Sequence, residues 1–471
     1  MTEEQLRALL SDVAARAAAY RASTGAALHR PEAGYSEMRA RFARPAPETG
    51  IAAEEVIDEL AGLVEGGLAT MVGPRFFGWV IGASAPVGLA ADWLTSGWGQ
   101  NCGNSLATPA ASACEEIAGR WLIELMKLPS ESSVGFVTGG TMANFTCLAA
   151  ARGEVLRRVG WDVEADGLIG APPIHVVLGE EAHSTVFSAL RYLGLGARRV
   201  VRVAVDAQGR IRADAFADAM AKLDGPIIAV AQAGHINSGA FDPFTGIAEV
   251  CRAKNAWLHV DGAIGLWAAA VPEFAHLTRG LELADSWGAD GHKWLQTPHD
   301  CGYAIVKDAP AHRRAMGITA SYLPVAEGIT HPWDTVPELS RRARGFATWA
   351  MLRSLGREGL VAMVSRHCAL ARRMAKRLGA EADVEIMNDV VLNQVAVRLG
   401  RGMEGAASDR LTERTIARIQ REGVCFVGGA LWRGRQIVRV SVIGADTTEA
   451  DIDVSADAIL SAWRAEAHAN V

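Results

Sequence analysis

Apolar residues recur at helical spacing from the start of the chain. Leu6, Leu9, Leu10, Val13 and Ala17 follow Thr2, and Gln5 stands where a capping box would place it. Residues 1–23 are therefore expected as an amphipathic helix. Residues 24–50 hold Gly25, Gly34, Pro31, Pro45 and Pro47 and read as a connecting arm, and helical spacing returns over 52–70. Further on the period shortens. Apolar runs at 134–137, 174–178, 199–205, 227–230, 257–260 and 304–306 read as strands, with helical patterns between them, one starting near Met142. Strands alternating with helices indicate an α/β domain with a mostly parallel sheet. After residue 340 a long helical stretch carries Phe346, Trp349, Leu352 and Leu355 on one face. The remainder, with strands expected at 391–397 and 437–442, reads as a smaller α+β domain. There is no internal repeat.

Composition narrows the function classes. With 471 residues, half of them hydrophobic, the chain can bury a large core and fill two or three domains. A net charge of −6 gives no global case for nucleic acid or an anionic membrane as partner. Seven cysteines at wide, irregular spacing, with no C-x-x-C pair, suit neither a disulfide framework nor a zinc site; buried thiols in a reducing compartment are expected, and no metal. The N-terminus lacks the basic start and apolar stretch of a signal peptide, and no segment approaches roughly 18 uninterrupted apolar residues. A cytoplasmic protein is the expectation.

Five short motifs follow the expected strands. In Ala289-Asp290-Gly291-His292-Lys293-Trp294-Leu295, apolar neighbours disfavour the Lys293 ammonium and favour the neutral amine that Schiff-base chemistry needs. A lysine at a helix start, its stem against Trp294, has the same pattern. In Trp257-Leu258-His259-Val260-Asp261-Gly262-Ala263 a strand ends in a carboxylate. Asp261 there can pair with a protonated pyridine nitrogen, or simply cap a turn. Thr138-Gly139-Gly140-Thr141-Met142-Ala143-Asn144 lets backbone approach an anion at a helix start, with the Thr141 hydroxyl as an added donor. It matches neither the mononucleotide nor the dinucleotide glycine pattern. Gly179-Glu180-Glu181-Ala182-His183-Ser184-Thr185 offers an imidazole that could stack on a flat ring or begin a helix. The fifth motif, Ala233-Gly234-His235-Ile236-Asn237-Ser238-Gly239-Ala240-Phe241-Asp242-Pro243, is a polar loop. Each is modest alone; their order along one sheet is what counts.

That ordered set resembles the group II decarboxylases dependent on pyridoxal 5′-phosphate (PLP), of fold type I, which act on aromatic amino acids, tyrosine, histidine and glutamate. The likeness covers residues from about 50 to 445. It implies the PLP-dependent transferase fold: a large, mostly parallel sheet of the seven-stranded type over 76–355, a smaller α+β domain over 356–471, and an N-terminal helical arm over 1–75 serving dimerisation. It implies Lys293 as the Schiff-base residue, His183 stacked on the cofactor ring and Asp261 at the ring nitrogen. Gly140, Thr141, His235, Ala263, Asp290 and His292 complete the cofactor shell. Trp79, Ile81, Trp98 and Thr335 would line the pocket of a small amino-acid substrate. The family's members are homodimers with sites at the subunit interface, and the activity implied is decarboxylation of an L-amino acid to an amine and CO2.

Two departures from the family pattern bear on the reaction. The stretch 331–342 contains no tyrosine, where the family carries one that protonates the carbanion; Thr335 stands at that place. Relatives without that tyrosine include oxygen-using aldehyde synthases. His235 occupies a position where threonine is usual, and Tyr322, upstream, is not assigned the proton-donor role. The alternatives are therefore decarboxylation coupled to oxidative deamination, another fold type I lyase or aminotransferase, and a non-catalytic binding protein.

Overall fold

The computed structural model describes residues 1–319, 321 and 330–468. Tyr322 lies outside the described residues. The chain divides into two compact units: Met1–Ile81 with Arg373–Ile386 and Ala396–Val471, and Gly82–Arg372 with Met387–Val395.

The larger unit is built on seven strands: β1 (Ser133–Val137), β2 (His175–Gly179), β3 (Val201–Val203), β4 (Ile227–Gln232), β5 (Trp257–Asp261), β6 (Ser286–Asp290) and β7 (Gly302–Val306). Their order is β1-β7-β6-β5-β4-β2-β3. β3, β2, β4, β5 and β6 run parallel, and β7 runs antiparallel to both β6 and β1. β4 reads Ile-Ile-Ala-Val-Ala-Gln and is buried for its first five residues, as a strand covered on both faces must be. Helix Gly140–Arg157 lies against the sheet through Ala143, Cys147, Ala150 and Ala151, small side chains that permit close approach. That closeness brings its first turn to the carboxyl ends of β5 and β6.

In the smaller unit, the first helix is Glu3–Ser23, with the Thr2–Gln5 capping box formed in both directions. None of its residues is buried, and Leu6 and Leu10 stand exposed. The arm expected over 24–50 contains a helix the sequence reading missed, Tyr35–Phe42, which the flanking glycine and prolines concealed. A four-stranded sheet, ordered β10-β11-β9-β8, is formed by β8 (Val384–Ile386), β9 (Gln394–Leu399), β10 (Gly428–Trp432) and β11 (Arg435–Ser441). The apolar runs announced only β9 and β11.

The long helix Gly345–Leu378 is interrupted at Gly356, whose left-handed φ of 60° no helix accommodates. Its first part buries Leu352 of the expected stripe together with Ala347, Thr348 and Met351, while Trp349 stays partly exposed. Among the described residues no helix is long and apolar enough to cross a membrane. All seven cysteines are free thiols, six of them buried.

Candidate active site

The site is assembled at the carboxyl ends of adjacent parallel strands, where open α/β sheets leave room for ligands. β5 ends in Asp261 and β6 ends in Asp290. Both carboxylates are buried, at 5% and 1% exposure. Helix Gly140–Arg157 reaches both of them from one face, since residues four apart are neighbours on a helix. The Gly140 amide donates to Asp290 Oδ1 at 2.5 Å, and the Asn144 side-chain amide donates to Asp261 Oδ2 at 3.2 Å.

Asp261 is held by a one-way chain of donors. The Trp257 indole can only donate, and it gives its N–H to Ser286 Oγ at 2.9 Å. At the other end the Asp261 carboxylate can only accept, so the Asn144 NH2 faces it and Asn144 Oδ1 faces His259 Nε2 at 3.0 Å, which carries the ring proton. His259 Nδ1 then accepts from the Ser286 hydroxyl, 3.0 Å away. Burial lowers the His259 pKa to about 4, with Asp261 pulling the other way, so the imidazole is neutral near pH 7 and serves as a fixed relay. The Ala263 backbone N–H lies 3.3 Å from Asp261 Oδ1. Asn144 and His259 were not singled out from the sequence as site residues; only the chain of contacts identifies them.

His183 caps the helix Ser184–Tyr192 and is half-buried. Its Nδ1 lies 2.8 Å from Thr185 Oγ1 and also faces the Thr185 N–H, so Nδ1 is the acceptor and the ring proton sits on Nε2. Thr185 Oγ1 in turn accepts from Asn144 at 3.2 Å, tying His183 to the same amide that holds Asp261.

The lysine turn differs from the expected apolar setting. Lys293 Nζ lies 2.7 Å from Asp290 Oδ2, in an ion pair with a buried carboxylate. The Trp294 indole is buried and donates to His367 Nδ1 at 3.0 Å. His292 Nδ1 accepts from the Cys301 amide at 3.3 Å, and its Nε2 faces Asp290 Oδ1 at 3.5 Å. Burial alone would raise the Asp290 carboxyl; Lys293 first, then His292 and the Gly140 amide, outweigh it and hold the group below the ordinary carboxylate range. The turn is clamped from behind by Gly82, whose N–H donates to His292 O at 3.1 Å. A Cβ there would fall 2.2 Å from that same oxygen, so only glycine fits.

The anion cradle is equally tight. Gly139 has φ +155°, and a Cβ on it would lie 2.7 Å from His292 Cε1. Thr141 follows on the first turn. These features fit a flat, phosphorylated aldehyde cofactor: a helix start with glycine backbone for the phosphate, a buried carboxylate for a ring nitrogen, an imidazole beside them and an amine at the adjacent strand end.

The other residues singled out from the sequence lie as follows. His235 is 2% exposed; its Nδ1 accepts the Asn237 and Ser238 amides and its Nε2 lies 3.2 Å from Glu181. Thr335 is buried in the turn Pro332–Thr335, its hydroxyl donating to Pro332 O at 3.1 Å. Trp98 is half-exposed and meets Phe346 edge to face at 5.1 Å. Trp79 and Ile81 belong to the smaller unit, where the Trp79 ring lies 5.1 Å from Phe426.

The pyridoxal-dependent decarboxylase conserved domain matches residues 36–400. The aromatic-L-amino-acid decarboxylase of Bacillus atrophaeus is 26% identical over 422 residues, covering 87% of this chain and 85% of its own. The 4-hydroxyphenylacetaldehyde synthase of Rhodiola rosea is also 26% identical over 422 residues, covering 86% and 84%. Among solved structures, that of Oryza sativa TDC with PLP and tryptamine superposes with a TM-score of 0.91 at 23% identity, covering 99% of both chains, a likeness of fold.

Proposed function

Since this chain belongs to the pyridoxal-dependent decarboxylase family, we propose that Lys293 carries the cofactor and that the substrate is an L-amino acid with an aromatic side chain, released as its amine. The chain is a PLP-dependent carboxy-lyase, and its reaction is the decarboxylation of an amino acid. The observation that carries the residue assignment is the double reach of one helix turn. Gly140 and Asn144 engage the two carboxylates that end neighbouring strands, and Lys293 stands on the second of them.

Bound PLP supplies an electron sink for the pair left behind when the Cα–carboxylate bond breaks. The chain's own residues do the rest. Asp261, its charge steadied by the Asn144 amide, holds the proton of the ring nitrogen. His183 offers its face to the ring and keeps its proton on Nε2. The Gly140 and Thr141 amides bind the phosphate, helped by the positive end of the helix. Lys293 provides the amine, and His292, Ala263 and His235 complete the surroundings. Aromatic specificity is supported by the relatives' names. The exposed Leu6 and Leu10 of a helix with no buried residue support a homodimer in which a second copy covers that arm; seven free thiols suit a cytoplasmic setting.

A second reading has its own observation. The segment 331–342 lacks a tyrosine, and the Thr335 hydroxyl is engaged by Pro332. Without a tyrosine there to protonate the decarboxylated carbon, dioxygen can take up its electron pair as peroxide, and water then cleaves the carbon–nitrogen bond to give aldehyde and ammonia. A panel of aromatic and acidic L-amino acids, with CO2, amine, ammonia and peroxide all followed, tests both readings. Amine with CO2 and no peroxide supports the first; peroxide and ammonia in step with CO2 replace it with the second. Borohydride trapping and peptide mapping test Lys293: a label on another residue removes the assignment.

A further inference from the structure

We propose that Asp290 is the proton acceptor for cofactor attachment: it takes a proton from Lys293 as the C=N bond forms and then faces the phosphate as a neutral carboxyl donor. The proposal rests on the reading of Lys293 above. It starts from an anomaly of charge. The Gly139–Gly140 turn is shaped for an anion, yet a buried carboxylate already accepts the Gly140 N–H at 2.5 Å. A phosphate arriving there competes with Asp290 for that amide. It also sets a second negative group beside a carboxylate with 1% exposure, an arrangement that is strongly unfavourable while both stay ionised.

The geometry supplies the remedy. Lys293 Nζ lies 2.7 Å from Asp290 Oδ2, so the ammonium already points its proton at the carboxylate. An ammonium cannot attack an aldehyde; a neutral amine can. Transfer of one proton converts the pair from ammonium and carboxylate to amine and carboxylic acid, with no change in total charge. The amine adds to the aldehyde carbon, the C=N bond forms and water leaves. The Asp290 hydroxyl then donates to a phosphate oxygen instead of repelling it.

His292 is poorly placed to take that proton. Its Nδ1 already accepts the Cys301 N–H at 3.3 Å, and its Nε2 faces Asp290. The other titratable groups acting on Asp290 are Lys293 itself, His299 stacked on His292 at 4.3 Å, and Tyr303 on β7, buried and held to Thr348 at 2.9 Å. Lys293 is the first of the influences that keep the Asp290 carboxyl low. Once it becomes an uncharged imine nitrogen and the phosphate takes the Gly140 amide, burial is opposed by His292 alone and favours the protonated acid.

The experiment follows PLP loading of the cofactor-resolved full-length protein by its visible absorbance, from about pH 6 to about pH 8. In the wild type the proton moves within the pair, so the loading rate is flat. In Asp290→Asn the proton must leave to solvent, and the rate rises about tenfold per pH unit. Parallel pH profiles for the two proteins would overturn the proposal. Should Asp290→Asn fail to fold, infrared difference spectra of the wild type decide. A carbonyl band of a protonated carboxyl, shifted in D2O, appears on loading if the proposal holds, and its absence ends it. Absence of any borohydride label at Lys293 would bring down the cofactor reading and this proposal together, whereas a label with parallel profiles overturns the proposal alone.

Discussion

Two carboxylates end neighbouring strands of one sheet, and they are held in opposite ways. Asp261 meets neutral donors, the Asn144 amide and a backbone N–H, in a chain that begins at an indole. Asp290 meets a lysine ammonium and a helix-start amide. Neutral donors steady a negative charge without cancelling it, so Asp261 keeps a full charge available for a cation placed against it. A bound cation cancels the charge and offers a proton, so Asp290 can change state when its partner changes. The same residue type at equivalent positions thus gives a fixed charge on one strand and a movable proton on the next.

Removing the fixed charge has the largest consequence. Asp261→Asn preserves shape and a hydrogen-bonding tip but lifts the negative charge from the ring-nitrogen position. The loss expected is about a thousandfold in kcat, in the range found when one preorganised electrostatic group is deleted. Steady-state kinetics on the PLP-loaded variant check this. A kcat within a few-fold of wild type would mean that Asp261 only caps its turn.

Next comes the group that orients it. Asn144→Leu leaves Asp261 without its side-chain donor and His259 without its acceptor. Loss of an orienting partner of this kind costs about 10- to 100-fold in activity. Asn144→Asp places a second carboxylate beside the first and is expected to do worse than leucine at neutral pH. If leucine proved the more harmful, packing rather than charge would govern the position.

Much of this was legible in the sequence, and what was missed has a physical cause. Strands β1, β2, β4, β5 and β7 stand out because they are apolar runs buried on both faces. β6 does not, because Ser286, Gly288 and Asp290 alternate along the face turned to helix Gly140–Arg157. Ser286 engages His259 and Trp257, and a Cβ on Gly288 would fall 2.9 Å from Asn144 Oδ1. Asp290 binds Gly140. The strand richest in site contacts is the one whose apolar pattern is erased by them. The motifs pointed to Lys293, Asp261 and His183 as candidates, but Asn144 and His259 became visible as further candidates only when a chain of contacts across 115 residues of sequence closed.

His259, in the chain that holds Asp261, makes stability depend on pH. Its folded-state pKa is about 4, below the ordinary 6.5 of an unfolded chain. Between those values the unfolded state binds a proton that the folded state does not, so stability rises with pH. The His259 contribution is present above about pH 6.5 and is lost as pH falls toward about 4, by up to about 1.4 kcal/mol per pH unit. Asp242, raised to about 7 by burial, acts in the opposite sense across the whole of that window, but it is common to both proteins compared. Denaturation midpoints for wild type and His259→Gln across this range are expected to converge on acidification. Parallel curves would show that the imidazole titrates no differently when folded.

The smallest effect belongs to the far end of the donor chain. Trp257→Phe removes the donor that anchors Ser286 Oγ, while the order of the chain stays set by the Asp261 carboxylate, which can only accept. Ser286 still donates to His259 Nδ1, but its hydroxyl is held at one point fewer. The deleted indole hydrogen bond costs about 1 kcal/mol of stability. If the chain matters only as packing, activity follows the folded fraction alone. If the anchoring of Ser286 matters, kcat falls a further few-fold in fully folded protein, and Ser286→Ala added to Trp257→Phe brings no additional loss. The non-additivity of that pair is the measurement, because two residues acting through one relay can be broken only once.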